Sequence, residues 1–258
     1  MREIEIKYPS INTQQKIASI LSTYDDLIEN NTRRIKILEE MAQMLYREWF
    51  VNFRFPDHEQ VKMVKSELGL IPEGWEVVQL QDLYDTSSGG TPSRKVKEYY
   101  ENGTINWVKT QELKDCFIFE SDEKITDLGL KNSSAKVFPI DTVLIAMYGA
   151  TIGKLGILAD ASATNQACCG ITSKNEFFNY SYSFLYLQHN RLEIFKLGMG
   201  AAQQNISQQV IKKFEILKPP LHIMAIFNNI ANPILVSIRL LQKKNINLRK
   251  PAIYSYLN

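Results

Sequence analysis

A segment that occurs twice, once near each end, constrains this chain more than any other feature. Ile4-Glu5-Ile6-Lys7-Tyr8-Pro9-Ser10-Ile11 matches Phe214-Glu215-Ile216-Leu217-Lys218-Pro219-Pro220-Leu221, residue 4 answering to residue 214, an offset of 210. Each copy runs into a stretch with heptad rhythm. Steps of four and three from Ile17 reach Leu21, Tyr24, Ile28, Asn31, Ile35, Leu38, Ala42, Leu45 and Trp49, apolar at every position but one. That pattern belongs to a helix packed along a partner helix. At about 1.5 Å per residue, Ile17 to Trp49 predicts a helix roughly 50 Å long. The same offset places Phe227, Ala231, Ile234, Ile238, Leu241, Asn245 and Leu248 on a second seam. A lone Asn in such a seam fixes register and partner at some cost in stability. Asn31 and Asn245 therefore read either as register pins or as residues at a solvated edge. Pro233 lies early in the second helix, where a proline starts or kinks it, so the second arm is expected to be shorter and weaker. Two related arms framing an insert suit a molecular ruler that holds a binding module at a fixed place.

The charge balance is close to neutral, 30 Lys and Arg against 28 Asp and Glu. Such a balance does not argue for nucleic acid by itself, and a DNA-binding reading needs clustered bases. Clusters occur at Arg94, Lys95 and Lys97 and at Lys212 and Lys213, although solvated surface charge fits each of them equally well. With 258 residues, 45% of them apolar, the chain can bury one large core or two smaller ones. A run of 18 apolar residues and a signal peptide are both missing, so the expectation is a cytoplasmic protein without a membrane span. Cys116, Cys168 and Cys169 lack metal-ligand spacing, and the adjacent pair in Ala167-Cys168-Cys169-Gly170-Ile171 reads as small core residues.

Between the arms the period changes. After Trp49-Phe50 a polar stretch leads to Ile71-Pro72-Glu73-Gly74-Trp75, and short strands divided by Gly, Asn, Asp and Ser follow. The strands expected are 76–80, 104–109, 137–147, 156–159 and 167–173. Helices are expected at 182–195 and 207–213, the second with Ser207 as N-cap. The fold class is α+β: one globular domain of mixed strands and helices flanked by two long coiled-coil-like helices. The expected organisation is a helical region at 1–60, a linker at 61–74, the globular domain at 75–218 and a second helical region at 219–258.

Several stretches imitate catalytic motifs and fail on a physical detail. Gly149-Ala150-Thr151-Ile152-Gly153-Lys154 is one residue too short between its glycines for a phosphate loop, and Leu155 stands where a magnesium-binding Ser or Thr belongs. The Gly-x-Gly within Phe195 to Gly200 follows a helical stretch, whereas cofactor loops of that type follow a strand. Pro56-Asp57 with Asp122-Glu123-Lys124 resembles a nuclease's acidic pair and lysine, but spacers this short arise by chance. His58, His189 and His222 form neither a metal-ligand set nor a triad. No catalytic or metal-ligating residue is assigned.

The arms with Pro-x-Ile or Pro-x-Leu before a long helix, the run from Ile37 to Phe50, Gly74-Trp75-Glu76, Ser88-Gly89-Gly90-Thr91-Pro92-Ser93, Gly149 to Lys154, Thr164-Asn165-Gln166-Ala167 and Gln203-Gln204-Asn205-Ile206-Ser207 appear in this order. Together they resemble the DNA specificity subunit of type I restriction-modification enzymes. In that family two target-recognition domains alternate with two conserved helical regions, and the helices set the gap between the halves of a bipartite DNA site. This chain resembles a half-length form, with one recognition domain between two helical regions. The resemblance implies a non-catalytic subunit that binds double-stranded DNA and methyltransferase subunits, with a restriction subunit as a further possible partner. S-adenosylmethionine, ATP and magnesium would be used on those partners, and no cofactor is expected on this chain. The helix-pairing residues expected are Ile17, Leu21, Tyr24, Ile28, Asn31, Ile35, Leu38, Leu45, Ile234, Ile238, Leu241, Asn245 and Leu248.

Recognition of a half-site needs phosphate neutralisation and side chains that reach base edges. The candidates are Thr91, Ser93, Arg94 and Lys95 in one loop, Tyr148, Thr151 and Lys154 in a second, and Gln203, Gln204 and Asn205 in a third. With one recognition domain, a homodimer associated through the heptad helices would read a palindromic bipartite site, while pairing of the two arms within one chain would leave a monomer. A scaffold or truncated remnant that binds only the methyltransferase, and a stand-alone nuclease acting on DNA, are the competing readings.

Overall fold

A computed structural model of the chain describes residues 8–198 and 205–255, with side chains as far as Lys250. Ile4 to Lys7 of the first repeat copy, and Gln203 and Gln204, lie outside the described residues. The chain divides into two compact units, one of Met1–Glu40 with Val236–Asn258 and one of Met41–Leu235.

The first unit is a helix pair. Helix α1 spans Ile11–Phe50 and the last helix of the chain, α7, spans Leu221–Ser255; the outer parts of both belong to this unit. Ser10 caps α1, its Oγ accepting from the Thr13 amide at 3.4 Å, which satisfies one of the otherwise orphaned first-turn donors. Pro219 and Pro220 stand just before α7, where a missing N–H costs nothing. The helix begins ahead of Pro233 and continues past it, so that proline does not start the second arm. At 35 residues against 40 the second arm is the shorter one, as expected.

The seam of this unit is set by polar contact as well as by apolar packing. Asn31 Nδ2 donates to Asn245 Oδ1 at 2.8 Å, and Asn245 Nδ2 reaches Thr32 Oγ1 at 3.3 Å and the Ile28 carbonyl at 3.5 Å. Ile238, Leu241 and Asn245 are buried, and Leu21, Tyr24, Ile28, Asn31, Ile35, Leu38 and Leu248 are half-buried. The two arms therefore pair within one chain, and both asparagines act in the register contact rather than at a solvated edge. Ile17 departs from the expectation. It is 44% exposed.

In the second unit the inner ends of both arms join a globular core. Here the buried positions of α1 are Ala42, Tyr46, Trp49 and Phe50, and Leu45, expected on the seam, is half-buried beside the buried Tyr46. On α7 Leu235 is likewise buried where Ile234 was expected. The cause is the wider surface to be covered: Phe50 meets Phe227, Tyr182 and Trp75 with ring centroids 4.7, 4.9 and 5.8 Å away, contacts that a narrow two-helix seam does not require. By length and composition Leu221–Lys250 could cross a membrane, but Phe227, Ala231, Leu235, Ile238 and Leu241 are buried within the two units, as in a core helix.

The segment expected as a linker instead forms a hairpin, β1 (Met63–Ser66) with β2 (Gly69–Pro72). The chain then runs β3 (Glu76–Gln79), α2 (Leu80–Leu83), β4 (Tyr84–Ser88), β5 (Ile105–Val108), β6 (Cys116–Ile118), β7 (Lys124–Ile125) and α3 (Asp127–Lys131). It continues through β8 (Val137–Phe138), β9 (Val143–Ala146), β10 (Leu155–Leu158), β11 (Ser162–Thr164) and β12 (Cys168–Ser173), then α4 (Tyr180–His189), α5 (Arg191–Gly198), α6 (Gln208–Lys212) and β13 (Glu215–Lys218). Two larger sheets have the orders β4-β12-β9-β10-β6 and β7-β5-β11-β8.

The strand expected at 137–147 is broken into β8 and β9 by a turn at Pro139 to Thr142, where Asp141 adopts φ +66°. The helix expected at 182–195 is two helices, because Asn190 Nδ2 donates to the Tyr186 carbonyl and closes α4. Ser207 caps α6 as expected, its Oγ accepting from the Val210 amide. Entry and exit of the domain are joined: β3 pairs antiparallel with β13, Glu76 opposite Lys218. The buried Tyr182 hydroxyl donates to the Leu217 carbonyl at 2.8 Å, fastening that exit strand to α4.

Candidate nucleic-acid interface

The registers of the two larger sheets bring distant loops to one end. In the five-stranded sheet Ser88 lies opposite Cys169, Ala146 opposite Cys168 and Leu155 opposite Ile145. The chain leaving β4, the chain from β9 to β10 and the chain entering β12 thus emerge side by side. In the other sheet Thr164 lies opposite Val108, and the Trp107 amide donates to the Glu123 carbonyl, which places Lys109 and Glu123 at the same end. Asn165 to Ala167 joins β11 to β12 and so links the two sheets there.

Close approach of backbones fixes the first loop. A side chain on Gly89 would put its Cβ 2.1 Å from the Thr164 carbonyl oxygen, a contact only glycine avoids. The second loop is held by its turn: Gly153 has φ +77°, and Arg191 Cγ lies 3.2 Å from where a Cβ would sit. Arg191 is bidentate to Asp115, whose Oδ1 also accepts from the Leu155 amide. The phosphate-loop look-alike is therefore a tight turn braced from behind.

The predicted residues of the first two loops, and Asn205, come together at this end. Thr91 is exposed and its hydroxyl donates to Gln166 Oε1. Ser93 and Lys95 are exposed on the same loop, Lys154 on the second, and Tyr148 is 44% exposed. Asn205 forms a β-bridge with Tyr148, and the Ile206 amide donates to the Met147 carbonyl at 2.8 Å. The Thr151 hydroxyl is spent on the turn, donating to the Tyr148 carbonyl at 2.9 Å. Arg94 lies 4.3 Å over the Tyr100 ring and 5.0 Å from that of Trp107, with Nη1 on Glu123. Lys109 Nζ binds the other Glu123 oxygen at 2.6 Å. The hydrogen bond from Arg94, then that from Lys109, holds the Glu123 carboxyl down to about 2.

Besides Lys109 and Glu123, the described residues at this end include Gln166, Lys136 and Gln208, which are not among the predicted candidates either. Gln166 is exposed beside Thr91, Lys136 Nζ binds Ser87 Oγ, and Gln208 bridges Ser88 Oγ and the Thr86 carbonyl. Thr164-Asn165-Gln166 had been singled out as a motif, so Gln166 carried a signal. Lys136 carried none, because only the pairing of β8 with β11 brings it near β4. The two adjacent cysteines are core residues, and burial pushes the Cys169 thiol up to about 12. Among the described residues no group of three His, Cys, Asp or Glu is arranged to hold a metal ion.

A family model described as the type I restriction modification DNA specificity domain matches residues 1–40 and 72–250. The chain belongs to this family. It is 30% identical over 256 residues to the type I restriction enzyme MjaIX specificity subunit of Methanocaldococcus jannaschii, covering 97% of this chain and 58% of that protein. It is 25% identical over 285 residues to the HindI specificity subunit of Haemophilus influenzae, covering 87% and 61%. The crystal structure of the type I restriction-modification S subunit from M. genitalium shares the fold, with a TM-score of 0.65 at 12% identity over 93% of this chain and 58% of that one. This specificity-domain chain thus spans about three fifths of the length of these relatives. Of the stretches that the family model leaves unmatched, 41–71 holds the inner end of α1 and nearly all of the β1–β2 hairpin.

Proposed function

We propose that this chain selects DNA sequence for a type I restriction-modification system, using the end of the two sheets where the loops 89–96, 147–154 and 165–167 meet Asn205. That convergence carries the reading. It gathers exposed Thr, Ser, Gln, Asn, Tyr and Arg side chains, able to meet base edges, with Lys95, Lys136 and Lys154, able to neutralise phosphates. Gln203 and Gln204, which precede Asn205 in the sequence, are kept as proposed DNA contacts on residue type alone. The chain itself catalyses nothing in this reading. Methyltransferase subunits using S-adenosylmethionine, and a restriction subunit using ATP and magnesium, supply the chemistry in the cytoplasm.

Reading a split palindrome takes two recognition domains, which two copies related by a two-fold axis would provide. The Asn31–Asn245 seam is filled within one chain, so such a homodimer would use another face of the arms, where Ile20, Leu27 and Leu240 are exposed. Light scattering at micromolar concentration should give twice the chain mass; a single chain mass removes the homodimer. The recognition role is tested by selection from a random duplex library, with and without the methyltransferase subunit of its own locus. Enrichment of a split motif is the expected result, and no enrichment in either condition leaves only a scaffold.

A further inference from the structure

Arg94 differs from the other cations at the sheet end in how completely it is positioned. Its guanidinium lies over the Tyr100 ring and beside that of Trp107. Both rings are fastened to the loop that carries Arg94: the Tyr100 hydroxyl donates to the Pro92 carbonyl at 2.6 Å, and Trp107 Nε1 to the Gly90 carbonyl at 2.9 Å. Glu123 accepts from Nη1 and is itself fixed by Lys109. The Arg94 side chain nonetheless remains 52% exposed, so its other donors stay open to a ligand. Most of the rotamer entropy an arginine gives up on binding is already lost in this arrangement.

Two DNA groups attract arginine, and Glu123 separates them. A phosphate docking on Arg94 would meet the Glu123 carboxylate beside it, like charge against like. The major-groove edge of guanine carries two acceptors, O6 and N7, and no net charge, so a neighbouring carboxylate does not repel it. A planar fork clamped on aromatic rings also suits a two-acceptor edge better than a rotating phosphate.

We propose that Arg94 reads a guanine edge in the target DNA, with Tyr100, Trp107 and Glu123 as its positioning residues. This assignment rests on the DNA-recognition reading above. Lys95, Lys136 and Lys154 carry the phosphate contacts around it.

The test is a random-duplex binding selection on the full chain with its methyltransferase subunit, comparing wild type, Arg94→Lys and Glu123→Gln, each checked for folding by circular dichroism. Wild type is expected to enrich a motif with a guanine position. Arg94→Lys should lower the preference at that position about tenfold while leaving the salt dependence of binding unchanged. Glu123→Gln should lower the same preference and raise affinity for random duplex. A wild-type motif without guanine overturns the assignment, as does a folded Arg94→Lys variant that keeps every base preference. Uniform weakening with a shallower salt slope also overturns it, because that marks a phosphate contact. Should Arg94→Lys fail to fold, an unchanged preference in Glu123→Gln suffices to reject it. Absence of any enriched motif in wild type is a different failure, since it removes the DNA-recognition reading and this assignment with it.

Discussion

Truncating the asparagines between the arms measures how firmly the helix pair is set in register. Asn245 is 6% exposed, accepts from Asn31 at 2.8 Å and reaches Thr32 and Ile28 at 3.3 and 3.5 Å. The first bond has good geometry and is worth about 1 kcal/mol net; the other two are long and worth less. Asn245→Ala removes all three and strands the Asn31 amide in a partly covered seam, so a local cost of about 1–3 kcal/mol is expected. Asn31→Ala should cost a similar amount by stranding Asn245 Oδ1, and the two changes together about 1 kcal/mol less than their sum. A chain of two units need not unfold in one step, so the assay is native-state hydrogen exchange, read at the amides around residues 24–38 and 238–248. Asn245→Ala should speed exchange there by roughly 5- to 100-fold and leave β9 and β12 unchanged. Strict additivity of the two single changes, or unaltered exchange near Asn31, would refute the register contact. Replacing both residues by leucine should restore protection while loosening the choice of register.

Phe227→Ala should cost about 3–5 kcal/mol in urea unfolding of the second unit, since the ring is fully buried against Trp49, Phe50 and Tyr182; a loss under 1 kcal/mol would contradict that packing. Gly89→Ala forces a Cβ to 2.1 Å from the Thr164 carbonyl and should abolish DNA binding with little change in the amide spectrum of the helix pair. Lys136→Ala and Lys154→Ala should each weaken binding to all duplexes and lower the salt slope by about one, whereas an unchanged slope takes that residue out of the interface. The Glu123 carboxyl is depressed to about 2 by Arg94 and then Lys109. Its contribution is therefore complete above the unfolded value near 4.3 and lost as pH falls toward 2. The thermal-stability gap between wild type and Glu123→Gln should be constant from pH 7 to about pH 5 and close below it; a gap constant down to pH 3 would deny the ion pair its role.

The parts of this fold that were legible in the sequence are those with a long period. Heptad rhythm from Ile17 to Trp49 and from Phe227 to Leu248 announces both arms, whereas the Asn in each seam leaves a register pin and a solvated edge equally open until the contact between them is seen. At the inner ends Leu45 and Ile234 are half-buried while their neighbours Tyr46 and Leu235 are buried, because a helix that reaches a globular core is covered on a second face that a single periodicity does not record. The short strands β4, β6, β7, β11 and β13 are not legible in the sequence because two to five residues are too few to establish an alternation. The hairpin at 63–72 was hidden for a related reason: its strands expose Met63, Val64 and Leu70, so neither face resembles a core strand. At the sheet end the loops are recognisable by composition, but their convergence is not, since it depends on the strand registers of both larger sheets. Arg94 was chosen as one basic residue in a cluster, and nothing local showed that Glu123, 29 positions further on, would claim one of its donors.

The pairing of β3 with β13 closes the globular domain on itself. Whatever the chain does between Leu80 and Phe214, it must return to the same four-residue ladder, Glu76 to Gln79 against Glu215 to Lys218. Loops can therefore lengthen, shorten or change their chemistry without moving the points at which the domain is attached. Such a clasp makes the stretch between its two strands an exchangeable cassette, in which the whole loop chemistry changes by replacing one contiguous block of chain while its mounting stays as it was.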